Sequence, residues 1–448
     1  MRILLLNPSW THARHKQGQV YHQRFPPLIL ANIAAVLRAD GHSVTLVDAN
    51  LRPTPPQRVA EQARDQDLVL ITSSTITRWI CPDIDTEIFD RTCRAILDLG
   101  IPTVILGAHG SARPEWMLRR TLASACIVGE PEWTARALVE AWPERAVPGV
   151  AWLDDDGGFH GAAHRPPCAL EDLPPPAFDL LEAGAYHYEI LGPRLAMFEM
   201  TRGCPHSCSF CGHSMQGQQL RSKGPERMER ELILAGKAMG MSSAYFIDLE
   251  FTLQRARVLE LCERLEHLPT PLRWCCQTRA DAVDPDLLRR MNRAGCRLVH
   301  FGVESGSQRV LDSIDKGIQL AQVERGVALT HEAGMDTACF FMLGFPGETA
   351  AELDATVRFA MRLDPTYASF HLAVPFPGTP LHQAFDSAPL EPFPGHFHQD
   401  HRLVDLQRRR RLATARFYLR PSSLGRHLRR TTLGTASSQL GVFLWYLR

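Results

Sequence analysis

Short apolar runs alternate with amphipathic stretches along most of this chain, and that alternation limits the fold more than any other feature. In the N-terminal third, runs at Ile3–Leu6, Val44–Val47, Leu68–Ile71, Val104–Leu106 and Ala125–Val128 read as strands. Helical spacing separates them at Pro27–Ala39, Gln57–Arg64, Ile88–Asp98, Pro114–Leu122 and Thr134–Ala141. Near-continuous apolar strands are those buried on both faces, so this order implies an α/β fold with a mostly parallel, doubly wound, Rossmann-like sheet. A second series begins near Met197. Its strands are expected at Ala196–Met200, Ser243–Ile247, Arg273–Gln277, Leu298–Gly302, Asp336–Leu343 and Ala368–Ala373. Six such units fall short of a closed eight-stranded barrel and suit a partial (β/α)6 barrel, open on one side.

A chain of 448 residues is too long for one ordinary core. The expected domains are residues 1–148, the doubly wound sheet; 149–192, a hairpin and proline-rich linker; 193–390, the partial barrel; and 391–448, a helical, arginine-rich extension. Asp154-Asp155-Asp156-Gly157-Gly158 marks the hairpin turn, and Leu173-Pro174-Pro175-Pro176 is a stiff connector. From Arg402 onward there are eleven arginines and one acid, Asp405. This tail is expected to cap the barrel or pack on its core. In a competing reading, its Gly441–Leu447 end touches a membrane surface as an amphipathic segment.

The formal net charge is zero, so nothing global argues for a nucleic-acid partner. The apolar start, Met1–Leu6, ends at Asn7-Pro8, too soon for a signal peptide, and no apolar stretch approaches a membrane span. Most of the twelve cysteines are scattered, a pattern of reduced thiols plus a metal site that points to the cytoplasm.

Three cysteines are not scattered. Cys204, Cys208 and Cys211 form a C-x₃-C-x₂-C run, tight enough for one loop to wrap three thiolates around one face of a 4Fe–4S cube. Three ligands leave the fourth iron open to a small molecule. Zinc is the competing reading, with His206 and His213 near enough in sequence to complete a site.

With Phe210 just before the last cysteine, the motif resembles the signature of radical S-adenosylmethionine (SAM) enzymes. The resemblance implies that the open iron chelates SAM and that an electron from the cluster cleaves it to a 5′-deoxyadenosyl radical. It also assigns roles to the barrel's strand ends. Asp248 and Glu250 would face the methionyl ammonium, and Arg279 its carboxylate. Gln277 would face substrate or cobalamin. Glu304 and Ser305, in Gly302-Val303-Glu304-Ser305-Gly306, would contact the ribose, while Gly344, in Leu343-Gly344-Phe345-Pro346-Gly347-Glu348, would let the backbone approach the adenine.

The first domain resembles the cobalamin-binding domain that precedes the radical domain in one large class of this family. Phe25-Pro26-Pro27-Leu28, Ile71-Thr72-Ser73-Ser74-Thr75, Leu106-Gly107-Ala108-His109 and Val128-Gly129-Glu130-Pro131-Glu132 carry the likeness. Ligands on doubly wound sheets bind at the carboxyl ends of the strands. The expected cobalamin contacts are therefore Asn7, Pro8, Ser73, Ser74, Thr75, Gly107, Ala108, His109, Gly129 and Glu130. In the D-x-H-x-x-G motif of many cobalamin proteins, histidine replaces the lower cobalt ligand. Here Ala13 stands where the aspartate before His15 belongs, so no lower side-chain ligand is expected.

Together the resemblances imply a methyltransferase that moves a methyl group from SAM, via methylcobalamin, to an unactivated carbon or a phosphinate phosphorus of a small molecule. They also imply an electron donor of flavodoxin or ferredoxin type. The alternative within the same architecture is a non-methylating oxidoreductase resembling the anaerobic magnesium-protoporphyrin monomethyl ester cyclase. A methylthiotransferase would need a second cluster, for which Cys81, Cys93 and Cys126 are badly placed, and a non-enzymatic metal or cobalamin carrier would not need the barrel's acidic and glycine positions.

Overall fold

A computed structural model describes residues 1–9, 14–15, 18–19, 24–52, 54–74, 86–163, 165–212, 216–383 and 401–430. Ile3 to Leu6 are fully buried, as a strand between two helical layers must be. This strand, β1 (Arg2–Asn7), pairs in parallel with β2 (Ser43–Asp48) and β3 (Leu68–Thr72). Next come β4 (Thr103–Leu106) and β5 (Ala125–Ile127), giving the order β2-β1-β3-β4-β5. Chain order reverses between β1 and β3, which places the ligand crevice beyond their carboxyl ends.

The hairpin forms as expected, with β6 (Val150–Leu153) pairing antiparallel to β5 and β7 (Phe159–His160) completing the sheet. Asp154 makes the turn, its Oδ1 accepting from the backbone of Asp156 at 3.1 Å and Gly158 at 2.6 Å. After β4, Gly107 leads directly into a short helix, Ala108–Ala112, which holds Ala108 and His109.

In the second series, β8 (Leu195–Phe198) is followed by a two-stranded ribbon, β9 (Thr201–Arg202) with β10 (Arg221–Ser222). Then come β11 (Ser243–Phe246), β12 (Arg273–Thr278), β13 (Cys296–Glu304), β14 (Asp336–Leu343) and β15 (Tyr367–Leu372). The sheet β8-β11-β12-β13-β14-β15 is parallel throughout, a six-stranded open barrel with Trp274, Phe246, Phe301 and Phe341 in its apolar core.

The arginine-rich extension docks on this barrel through the helices His401–Tyr418 and Pro421–Arg430. Phe417 is fully buried, and Arg420 and Arg426 both pair with Asp364. Residues 441–447 lie outside the described residues. No helix among the described residues is long and apolar enough to cross a membrane.

Candidate active site

The cysteine loop leaves the carboxyl end of β8 through the ribbon. Gly203 makes the turn at φ +86°, where a Cβ would lie 2.1 Å from the Gln219 carbonyl oxygen, so only glycine fits. Cys204 and Cys208 are buried, and the Cys211 N–H donates to the Cys208 carbonyl at 3.1 Å. Further bonds tie the loop to the barrel, with Ser209 donating to the Ile314 carbonyl (2.9 Å) and accepting from Leu381 (2.9 Å). Phe210 packs on Phe345, ring centres 5.8 Å apart. Burial pushes the Cys204 thiol up to about 11, against a backbone N–H from His206, and raises Cys208 as well. Iron would displace those protons on binding. The three thiols, two of them buried, and the tethered loop suit an iron–sulfur cluster, while among the described residues no three Cys, His, Asp or Glu side chains converge on a single metal position. His213 lies outside the described residues.

A cation that the sequence reading missed stands beside this loop. Lys316 is buried, its Nζ 3.0 Å from Glu304 Oε1 and 5.9 Å from the Phe210 ring centre. After burial, the charges bearing on Cys208 are those of Lys316, Glu304, Arg279 and Glu250, in that order. Nothing local marks Lys316, because a lysine in a turn between two helices, here Gln308–Ser313 and Leu320–Glu332, normally reads as solvated surface. Glu250 Oε2 accepts from the Arg279 N–H at 3.0 Å, and burial raises its carboxyl to about 7. Glu304 adopts φ +65°, a strained conformation for a non-glycine residue at a strand end. Gln277 is half-buried on β12, in register with His300.

Four of the expected SAM contacts are committed elsewhere. Asp248 is fully buried and accepts from Thr201, through its N–H and its Oγ1 (2.6 Å), so it braces the ribbon that leads to the cysteines. The Arg279 guanidinium forms a fork with Asp281, both contacts at 2.9 Å, and donates to the carbonyls of Lys316 (2.6 Å) and Gly317 (2.9 Å). Ser305 bonds Thr356 (3.1 Å) under the helical layer. Gly344 has φ +91°, but Leu406 fills the space above it, where a Cβ would come within 2.8 Å. Its N–H donates to Glu348 at 2.6 Å, and burial raises the Glu348 carboxyl to about 7.

On the first sheet, Asn7, Pro8, Ser73 and Ser74 are buried together at the carboxyl ends of β1 and β3. The Asn7 amide donates to Asp48 at 2.8 Å, and burial raises the Asp48 carboxyl to about 6. Ser73 Oγ and Asn7 Oδ1 are buried with no partner among the described residues. Gly107, at φ +105°, leaves a hollow where a Cβ would press on Ser73 Oγ (2.9 Å) and Ser74 Oγ (3.0 Å). Orphaned hydroxyl and amide groups beside a side-chain-free hollow fit a large polar cofactor. His109 and Gly129 border this region, with the Gly129 N–H donating to Ser111 at 3.0 Å. Thr75 lies outside the described residues.

Glu130 was expected at cobalamin and is found between the two sheets. Its carboxylate accepts from both terminal nitrogens of Arg221 on β10, one at 3.0 Å. Beside it, Arg202 on β9 forks onto Glu132, Nη1 at 3.0 Å and Nη2 at 2.5 Å, and reaches Glu199 at 2.8 Å. The side chains of Arg202, Glu132 and Glu199 are at most 1% exposed. Burial works against the Arg202 cation, and the charges of Glu132 and Glu130 more than offset it. Arg202 stands two residues before Cys204. The clamp therefore joins the segment after β5 to the ribbon that leads into the cysteine loop.

The site thus pairs a six-stranded open barrel, with a three-cysteine loop after its first strand, with a doubly wound sheet whose carboxyl ends bury unpartnered polar groups. The radical SAM superfamily model matches residues 198–360, and the B12 binding domain model matches residues 18–139. An uncharacterized methyltransferase of Pyrococcus horikoshii is 30% identical over 389 residues, 85% of this chain and 82% of its own. The anaerobic magnesium-protoporphyrin IX monomethyl ester cyclase of Cereibacter sphaeroides is 28% identical over 400 residues, 86% of this chain but only 63% of its own. The solved structure of the radical SAM methyltransferase TsrM of Kitasatospora setae, with cobalamin and a [4Fe-4S] cluster bound, superposes with a TM-score of 0.68 at 20% identity. The match covers 87% of this chain and 76% of that one. The chain belongs to the radical SAM superfamily, with a B12-binding domain ahead of the barrel. It is a cobalamin-dependent radical SAM enzyme, and its cofactors are a 4Fe–4S cluster, SAM and cobalamin.

Proposed function

We propose that this chain is a methyltransferase acting on an unactivated carbon or a phosphinate phosphorus of a small molecule. One observation carries the reading: the buried Arg202, two residues before Cys204, forks onto Glu132 and so ties the cysteine loop to the first sheet's domain. When bound, the cluster supplies the electron for SAM cleavage, and cobalamin carries the methyl group. Cys204, Cys208 and Cys211 are the proposed cluster ligands, and Asn7, Pro8, Ser73, Ser74, Gly107, Ala108, His109 and Gly129 the proposed cobalamin cradle.

Glu250 is the proposed acceptor for the methionyl ammonium, and Glu304 for the ribose hydroxyls, in charge-assisted hydrogen bonds. Lys316 holds Glu304 in position and balances the negative charge of the thiolates. Phe210 closes the loop over Phe345 and keeps water from the cysteines, while Gln277 faces the barrel interior, where the substrate binds. A flavodoxin- or ferredoxin-type protein is the proposed electron donor. The cysteines among the described residues are free thiols, which suits the cytoplasm.

The cyclase of Cereibacter sphaeroides aligns along most of this chain, which supports ring formation without methylation as a second reading. To separate them, the anaerobic holoenzyme is incubated with SAM labelled as trideuteromethyl and a small-molecule extract. A product carrying the labelled methyl supports methyl transfer. A product that has lost two hydrogens and gained no label refutes it in favour of ring formation.

A further inference from the structure

The inner face of the last two barrel strands is open, while their outer face is sealed. On β14, Phe340 and Met342 are half-buried, whereas Cys339, Phe341 and Leu343 are fully buried. On β15, Phe370 is buried and His371 is exposed. Parallel register sets Phe340 beside Ser369 and Met342 beside His371, so all four share the lumen face. Ser369 Oγ lies 2.8 Å from His371 Nε2, and the Phe340 ring centre lies 6.2 Å from that of His371.

The free edge of β15 is covered by the helix His401–Tyr418, and two contacts fix its register. At one end, the Tyr418 hydroxyl donates to the Ala368 carbonyl (2.9 Å) and accepts from its N–H (3.2 Å). At the other, Leu406 packs with Leu343 and Leu372. A rise of about 1.5 Å per residue puts Arg410 about 6 Å along from Leu406, level with His371. Leu406, Ala413, Thr414 and Phe417 form the buried stripe of this helix, and the half-buried Arg410 falls on it, four residues from Leu406. The charge of Arg410 bears on the His371 imidazole and disfavours its protonated form, so the ring is neutral at pH 7.

We propose that Arg410, His371 and Ser369 form a subsite for an oxyanion of the substrate, a carboxylate or a phosphonate, with the substrate's apolar body against Phe340 and Met342. Arg410 supplies the charge, and His371 and Ser369 supply neutral hydrogen bonds. The inference rests on the barrel being the active site, and it names the class of small molecule that enters.

Calorimetric titration of the anaerobic holoenzyme tests this with phenylphosphonate, benzoate and neutral benzamide as probes. At least one anion is expected to bind ten-fold or more tightly than benzamide, and which anion binds identifies the group. Arg410→Gln should weaken that binding at least ten-fold and His371→Gln several-fold. Arg408→Gln, on the exposed side of the same helix, should leave it unchanged. Equal affinity for benzamide, failure of both anions to bind, or indifference to Arg410→Gln and His371→Gln overturns the subsite. The readout requires no methyl transfer, so its failure is distinct from failure of the methyltransferase reading.

Discussion

Replacing Arg202 with methionine removes a cation that two buried carboxylates, Glu132 and Glu199, share. Breaking a buried ion pair by deleting one partner costs about 3–5 kcal/mol, because the remaining charge is left desolvated. With two buried carboxylates losing this cation, the loss is taken at the middle of that range, about 4 kcal/mol. At roughly 2–4 °C per kcal/mol for a unit of 150–250 residues, Tm should fall by about 8–16 °C. Arg38 offers the control, since its pair with Asp179 leaves the two side chains 44% and 57% exposed. Arg38→Ala should cost under about 1 kcal/mol. Anaerobic scanning calorimetry on both variants gives the comparison. Lower pH should shrink the Arg202→Met deficit by neutralising the stranded carboxylates, and adding Glu132→Leu should recover part of it, a non-additivity that marks direct coupling. If Arg202→Met melts within about 2 °C of Arg38→Ala, the clamp does not join the two sheets and the argument fails.

Cys204→Ala, Cys208→Ala and Cys211→Ala should each reduce bound iron after anaerobic reconstitution to near background, measured by iron assay and visible absorbance. Gly203→Ala must place a Cβ against the Gln219 carbonyl at φ +86°, and it should cost about 2 kcal/mol or more and lower iron retention with all three cysteines intact. Glu250, raised by burial to about 7, gives opposite pH trends in stability and ligand binding. The stability tied to its neutral form is fully present below the ordinary carboxyl range and is lost as pH rises through about 7. SAM affinity, which needs the carboxylate, should rise over the same interval, and Glu250→Gln should flatten both curves in titrations between pH 5.5 and 8.

Much of the fold was legible because each strand announces itself locally. Ile3–Leu6 and Leu68–Ile71 are unbroken apolar runs, and such runs have no stable place except inside a two-layered sheet. The cysteine loop was legible for a similar reason, since its chemistry is written in a spacing of eight residues. What the sequence left open has a different cause. Asp248, Arg279, Ser305, Gly344 and Glu130 all sit at strand ends, where sequence alone cannot tell a group aimed at a ligand from one spent on a neighbouring turn. Which partner each finds depends on contacts between distant segments: Glu130 meets Arg221, 91 residues on, and Asp248 meets Thr201, 47 residues back. Lys316 and Arg202 escaped notice because only the assembled barrel buries them.

The central claim is that one protein runs two reactions of SAM, one through the cluster and one through cobalamin. It is tested most directly by incubating the reduced, anaerobically reconstituted enzyme with SAM, with and without cobalamin, and quantifying S-adenosylhomocysteine and 5′-deoxyadenosine by mass spectrometry. The account predicts S-adenosylhomocysteine only when cobalamin is present, and 5′-deoxyadenosine only when all three loop cysteines are intact. Formation of 5′-deoxyadenosine with no S-adenosylhomocysteine at any cobalamin loading would contradict it.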